Sequence, residues 1–119
     1  MNYGNALRGE RFDLASGALS GVLRLGRGGA GITAIPGAGC TVRVFKSTSR
    51  DADIEADLAS GTLSYANLIA GTQPTLSRWM LWASGAVVVD TMEPPADSDG
   101  FVAVIATATG GTAVLEVTR

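Results

Sequence analysis

Histidine is absent from this chain, and cysteine and lysine occur once each, as Cys40 and Lys46. Without histidine, a Ser or Cys nucleophile has no usual general base, so hydrolysis of that type is closed to a single chain. A Cys/His metal site cannot be assembled within one chain, and one cysteine allows no intrachain disulfide. Cys40 is therefore expected to pack as a small apolar residue. Lys46 is expected to lie near a strand end and carry its ammonium to water. Aromatic side chains are few (two Trp, two Tyr and three Phe), and no apolar run reaches the ~18 residues of a membrane-spanning helix. The N-terminus lacks a charged segment followed by a long apolar run, so the chain is expected to be made and kept in a cytosol-like compartment, or on a particle assembled there, with no membrane partner. Nine basic residues against eleven acidic ones leave a net charge of -2 and no concentrated basic face. Nucleic acid is not an expected partner.

What is abundant points to strands. Sixteen glycines accompany many Ala, Val and Thr residues, the composition of short strands joined by tight turns. The expected fold class is all-β: a compact antiparallel β-sandwich or barrel-like domain with an N-terminal extended arm. A chain of this length forms one domain, here residues 19–119, preceded by the arm at residues 1–18. That first segment has isolated anchors at Tyr3, Leu7, Phe12 and Leu14 without a sustained period. It is either a loosely packed terminus or an arm that docks on a neighbouring subunit.

Leu19 to Leu25 has the pattern of a first strand, with Leu19, Leu23 and Leu25 on one face and Gly21 as a weak point or bulge. Gly26 to Gly31 (GRGGAG) fits G-x-G-x-x-G formally, but Ile32 to Ile35 is β-branched and Pro36 follows, so no helix can open there to face a pyrophosphate. A hairpin loop is expected instead. Thr41 to Ser47 is a strand with Val42 and Val44 on one side and Arg43 and Phe45 on the other. Asp51, Asp53, Glu55 and Asp57 then alternate. They miss the EF-hand pattern, with Ala56 at the Gly position and Thr62 at the Glu position. A solvated acidic turn, a short helix with Ile54 and Leu58 inward, or a looser oxygen-ligand site stays open.

Thr62 to Ile69 and Thr75 to Trp82 are strand candidates, the second entering a hairpin that turns at Ser84-Gly85 and sets Trp82 against Val87, Met80 against Val89 and Leu81 against Val88. Both faces of that hairpin are apolar, so it belongs at the centre of a sandwich or turns one face to another subunit. After the loop TMEPPADSDG, two β-rich runs flank Gly110-Gly111, the signal for a two-residue hairpin turn. The pairing it predicts sets Thr109 against Thr112, Thr107 against Val114 and Ile105 against Glu116. One face is then wholly apolar, and the other mixes Phe101, Ile105 and Val114 with threonines and Glu116. The carboxylates lie in turn-like stretches, not in the apolar pocket that acid catalysis requires, so no catalytic residue is expected.

The order TVRVFKSTS, acidic segment, ASGTLSYANL, SRWMLWASGAVVVDTMEPPA and ATATGGTAVLEV resembles small β-sandwich virion proteins of tailed bacteriophages. The resemblance runs from Thr41 onward. It implies a non-enzymatic capsid decoration (cement) protein that binds the major capsid protein as a homo-oligomer, often a trimer. Such a protein is made in the host cytoplasm and carried on the outer capsid surface of the virion, with no cofactor or metal. On this reading the contact residues are Tyr3, Leu7, Phe12 and Leu14 of the arm, with Phe101, Ile105 and Val114 of the mixed face. The alternative is a tail- or baseplate-associated module for host-surface glycan, with Trp79, Trp82, Tyr65 and the acidic 51–57 turn as its platform.

Overall fold

The computed structural model describes residues 9–25 and 29–119. In chain order the elements are β1 (Gly9–Leu14), β2 (Leu23–Arg24), β3 (Gly31–Pro36), β4 (Thr41–Ser47), α1 (Asp51–Ser60), α2 (Tyr65–Ala70), α3 (Thr75–Arg78), β5 (Met80–Leu81), β6 (Thr91–Glu93), α4 (Pro95–Ser98), β7 (Ala103–Thr109) and β8 (Ala113–Thr118). Two antiparallel four-stranded sheets, in the orders β1-β8-β3-β6 and β2-β7-β4-β5, pack as a sandwich. The all-β expectation holds in this form. Between the sheets lie Leu14, Ile32 and Leu115 from one and Val42, Val44 and Val104 from the other, in one buried cluster with Trp82 and Cys40. Cys40 packs as the small apolar residue expected of it.

The terminal hairpin is a correction. β7 pairs with β2 and β4, while β8 pairs with β1 and β3, so Gly110 and Gly111 carry the chain from one sheet to the other. β7 and β8 stack across the sandwich, and the predicted Thr107–Val114 and Ile105–Glu116 pairs do not form. The reason lies in the crossing itself. The connection from β3 to β4 switches sheets at the same end, and the two corners touch through Gly37 N–H donating to the Thr112 carbonyl at 2.9 Å. Gly110 has φ +82, and a Cβ there would lie 2.8 Å from the Gly39 oxygen; one on Gly111 would lie 2.9 Å from the Ala38 oxygen. Only residues without side chains let these corners nest.

Residues 51–78 form a third layer. The acidic segment is helical, as one of its open readings allowed, with Asp51 and Asp53 in the first turn where the helix dipole favours them. Ile54 faces inward but Leu58 is exposed. The strands expected at 62–69 and 75–82 are instead α2, α3 and the short β5. Local chemistry explains α2: the Ser64 hydroxyl accepts from Asn67 N–H at 3.2 Å, and Gly71 closes the helix in the left-handed conformation. Ile54, Leu63, Leu68 and Trp79 then bury Phe45, Ala103 and Ile105 on the outer side of the β7 sheet.

The N-terminal boundary also changes. Gly9–Leu14 pairs with β8 over all six residues and Leu14 is in the core, so this stretch is an edge strand of the sandwich rather than an arm. Tyr3 and Leu7 lie outside the described residues. Leu23 and Leu25 pack on the inner core but Leu19 packs on the outer cluster, because the strand is interrupted about Gly21. Of GRGGAG, positions 26–28 are outside the described residues, and Gly31 opens a strand, as the β-branched run requires.

Candidate interaction surface

Among the described residues, the segment from Met80 to Glu93 carries the largest apolar exposure. Met80 is 61% exposed, Val88 67%, Val89 69% and Met92 76%, well above the other large apolar residues. The expected hairpin at Ser84-Gly85 does not form. Met80 and Leu81 pair with Lys46 and Phe45 of β4, Trp82 N–H donates to the Val44 carbonyl at 2.9 Å, and Val87 exchanges two backbone bonds with Val42. Both arms of the presumed hairpin therefore lie along one edge of β4, with Ala83 to Ala86 as a bulge between them. The Trp82 indole closes that bulge by donating to the Gly85 carbonyl at 2.6 Å. Beyond Val87 the chain leaves the sheet, exposes Val88 and Val89 as a lip, and re-enters the opposite sheet as β6. The signal was in the sequence: the uninterrupted AVVV run has more apolar residues than a half-buried strand can use.

Toward the Ser47 end of β4 lies a polar cluster that sequence reasoning missed. Lys46 does not reach water. It points inward beside Val42 and Val44, and both it and Glu93 keep only 4% of their side-chain surface exposed. Nζ lies 3.4 Å from Glu93 Oε1, donates to the Asp97 carbonyl at 2.7 Å and sits 4.7 Å from the centre of the Phe101 ring. Glu93 Oε2 accepts from both the backbone N–H and the hydroxyl of Ser84, each at 2.8 Å. The pair joins β4 to β6 across the sandwich. Its cue was the strand alternation, which places Lys46 on the same side as two core valines.

The expected contact residues are dispersed. Leu14 lies in the inner core and Ile105 is fully buried beneath the helical layer, so neither can meet a neighbour; this corrects both assignments. Phe12 is half-buried against the inner core. Phe101 is half-buried under Lys46. Val114 is half-buried on the open face of the β8 sheet, where with Asp13 and Ile35 it lines a depression of about 560 Å³ at the corner end. The mixed face was an artefact of the assumed hairpin.

The aromatic platform needed for glycan does not assemble. Trp79 and Trp82 are each 2% exposed and belong to different cores, and the Tyr65 hydroxyl is 2.7 Å from Thr109 Oγ1. The four acids sort into two pairs on α1. Asp51 and Glu55 flank Arg24 at 3.2 and 3.6 Å, while Asp53 and Asp57 flank Arg78 at 3.2 and 3.0 Å. The hydrogen bond from Arg50 holds the Asp53 carboxyl below its ordinary range, and the nearby Arg78 charge acts in the same direction. Among the described residues no group of three or more His, Cys, Asp or Glu side chains could hold a metal ion, and no helix is long and apolar enough to cross a membrane.

No family model, curated protein or solved structure matches this chain.

Proposed function

We propose that this chain is a non-enzymatic structural protein of a bacteriophage particle, of the capsid decoration type, which binds the major capsid protein and stabilises the shell. The observation that carries this reading is the lip. Val88, Val89 and Met92 project from the edge of a small sandwich in which the outer face of the β7 sheet is already covered by the chain's own helices. A free sheet edge is ordinarily blunted by charge or cover, and an apolar one marks a site of association. The order of sequence segments from Thr41 onward, which resembles that of phage virion sandwiches, favours the shell as the surface it meets. Several copies around a capsid symmetry axis would each contribute one weak contact, so a short apolar lip suffices when the copies act together.

The test is co-sedimentation with empty capsid shells of a tailed bacteriophage stripped of their decoration protein. The unaltered chain is expected to travel with the shells. Val88→Asp combined with Val89→Asp is expected to abolish this while leaving the fold intact, because both side chains are exposed. Undiminished binding by that variant would remove the lip from the account, and no binding by the unaltered chain would remove the shell.

A further inference from the structure

We infer that Glu93, held by Lys46, is the clasp that gives the apolar lip its shape, and that docking through the lip depends on it. The docking half rests on the decoration reading; the clasp stands on the geometry alone. Ser84 and Glu93 bracket the lip, one in the bulge before it and the other in β6 after it. A single carboxylate joins them, with both Ser84 donors meeting Oε2 at 2.8 Å and Lys46 Nζ facing Oε1 at 3.4 Å. Bonds to an ionised acceptor are about twice as strong as neutral ones. They are made here where water is excluded, since both charged side chains are almost wholly buried.

The lysine is fixed in turn. The Asp97 carbonyl and the Phe101 ring hold it as well, so the carboxylate cannot follow the bulge outward without leaving a buried ammonium uncompensated. Between Val87, which pairs with Val42, and Thr91, which opens β6, the described residues show a single internal bond, from the Thr91 hydroxyl to the Val89 carbonyl at 2.8 Å. A segment with so few bonds of its own takes its order from its two ends. This chain keeps its only lysine, ordinarily the most water-seeking residue, almost wholly buried against the carboxylate that joins β6 to the bulge. Lys46 and Glu93 are positioning residues, and the valines they present make the contact.

Hydrogen exchange on the full chain tests the clasp, and shell co-sedimentation tests its consequence. Lys46→Met combined with Glu93→Leu removes both charges while keeping the interior filled, a replacement that is often neutral or stabilising for a buried ion pair. In that variant the bonded amides of Ser84, Gly85 and Val87 are expected to exchange about tenfold faster or more, while those of Val44, Ala106 and Leu115 are unchanged. Ser84→Ala, which keeps the ion pair and removes one bond, is expected to give the same pattern with a smaller factor and serves if the double variant does not fold. Shell binding should fall in the same order. Unchanged exchange at Gly85 and Val87 in whichever of these variants folds would overturn the clasp, and faster exchange with undiminished binding would overturn its role in docking. If the unaltered chain binds no shells, the decoration reading fails, and the exchange comparison still decides the clasp.

Discussion

β7 and β8 are consecutive strands of similar composition joined by two glycines, yet they live in different surroundings. Six of the seven residues of β7 are buried, whereas β8 alternates buried and half-buried along its whole length. β7 is covered on both faces, by the opposite sheet and by α1 to α3; β8 is covered on one. Alternation in a strand therefore reports how many faces are covered and says nothing of which strand lies beside it. That is why a hairpin and a corner were equivalent on the inner face. Either arrangement brings Val104, Ala106 and Ala108 together with Ala113, Leu115 and Val117. The difference shows only on the other side, where Ile105 goes under helices and Val114 toward solvent.

The comparison is broken most severely by truncating the side chain that carries it. Ile105→Ala leaves a cavity between β7 and the helical layer and is expected to lower stability by about 2–5 kcal/mol. Val114→Ala, on the open face of β8, is expected to cost less than about 1 kcal/mol. Urea midpoints with an unchanged denaturant slope measure both. Equal losses would mean that the two strands are covered alike and that the third layer does not seal β7.

The corner that separates the strands comes next. Gly110→Ala must take φ +82 with a Cβ placed 2.8 Å from the Gly39 oxygen, so backbone strain and a clash act together. The expected loss is about 1–3 kcal/mol, read from the thermal midpoint. A hairpin with a left-handed first turn residue would show the strain without dependence on the neighbouring corner. Lengthening the Gly37–Cys40 turn by a glycine should therefore relieve part of the loss in Gly110→Ala.

These elements also show how far the sequence could be read. The fold class followed from composition, and the β4 strand and the inner face of β8 followed from a clean period of two. The partners of a strand did not follow, because Gly-Gly serves a tight turn and a nested corner equally, and only the distant Gly37–Cys40 turn distinguishes them. The helices of residues 62–78 were missed for a related reason. Their apolar residues are short in run and similar at either period, while the information lay in the Ser64 cap and the Gly61 and Gly71 stops. Among the contact residues, Leu14 and Ile105 were misplaced because an apolar surplus was counted without knowing that a third layer existed. The lip was half-visible as an apolar excess, but its exposure depends on Ser84-Gly85 forming a bulge where a reversal was expected.

Smaller effects sharpen the contrast between the covered and open sheets. On the open face Arg11 meets Glu116 at 3.2 Å with both side chains well exposed, so Glu116→Gln is expected to change stability by about 0.2–1 kcal/mol, and less in high salt. A double-mutant cycle with Arg11→Gln isolates the pair from other effects of either change.

The smallest expected effect lies on the layer that covers β7, and its sign is set by Asp53. Arg50 and Arg78 lower the carboxyl below its ordinary value of 3.8, so the folded state holds the ionised form more tightly than the unfolded chain does. The stabilisation is present above that ordinary value and is lost as pH falls through the lower folded one. Asp53→Asn, which carries no charge at any pH, is therefore expected to be slightly less stable than the unaltered protein at neutral pH and to converge with it in stronger acid. Chemical denaturation of both across the acid range checks this. Exchange at the α1 amides, beside those of β8, locates it: the difference between the two proteins belongs on the helical layer over β7 and should vanish in acid, while the β8 amides behave alike at every pH. A constant gap across the range would mean that Asp53 acts through its shape rather than its charge.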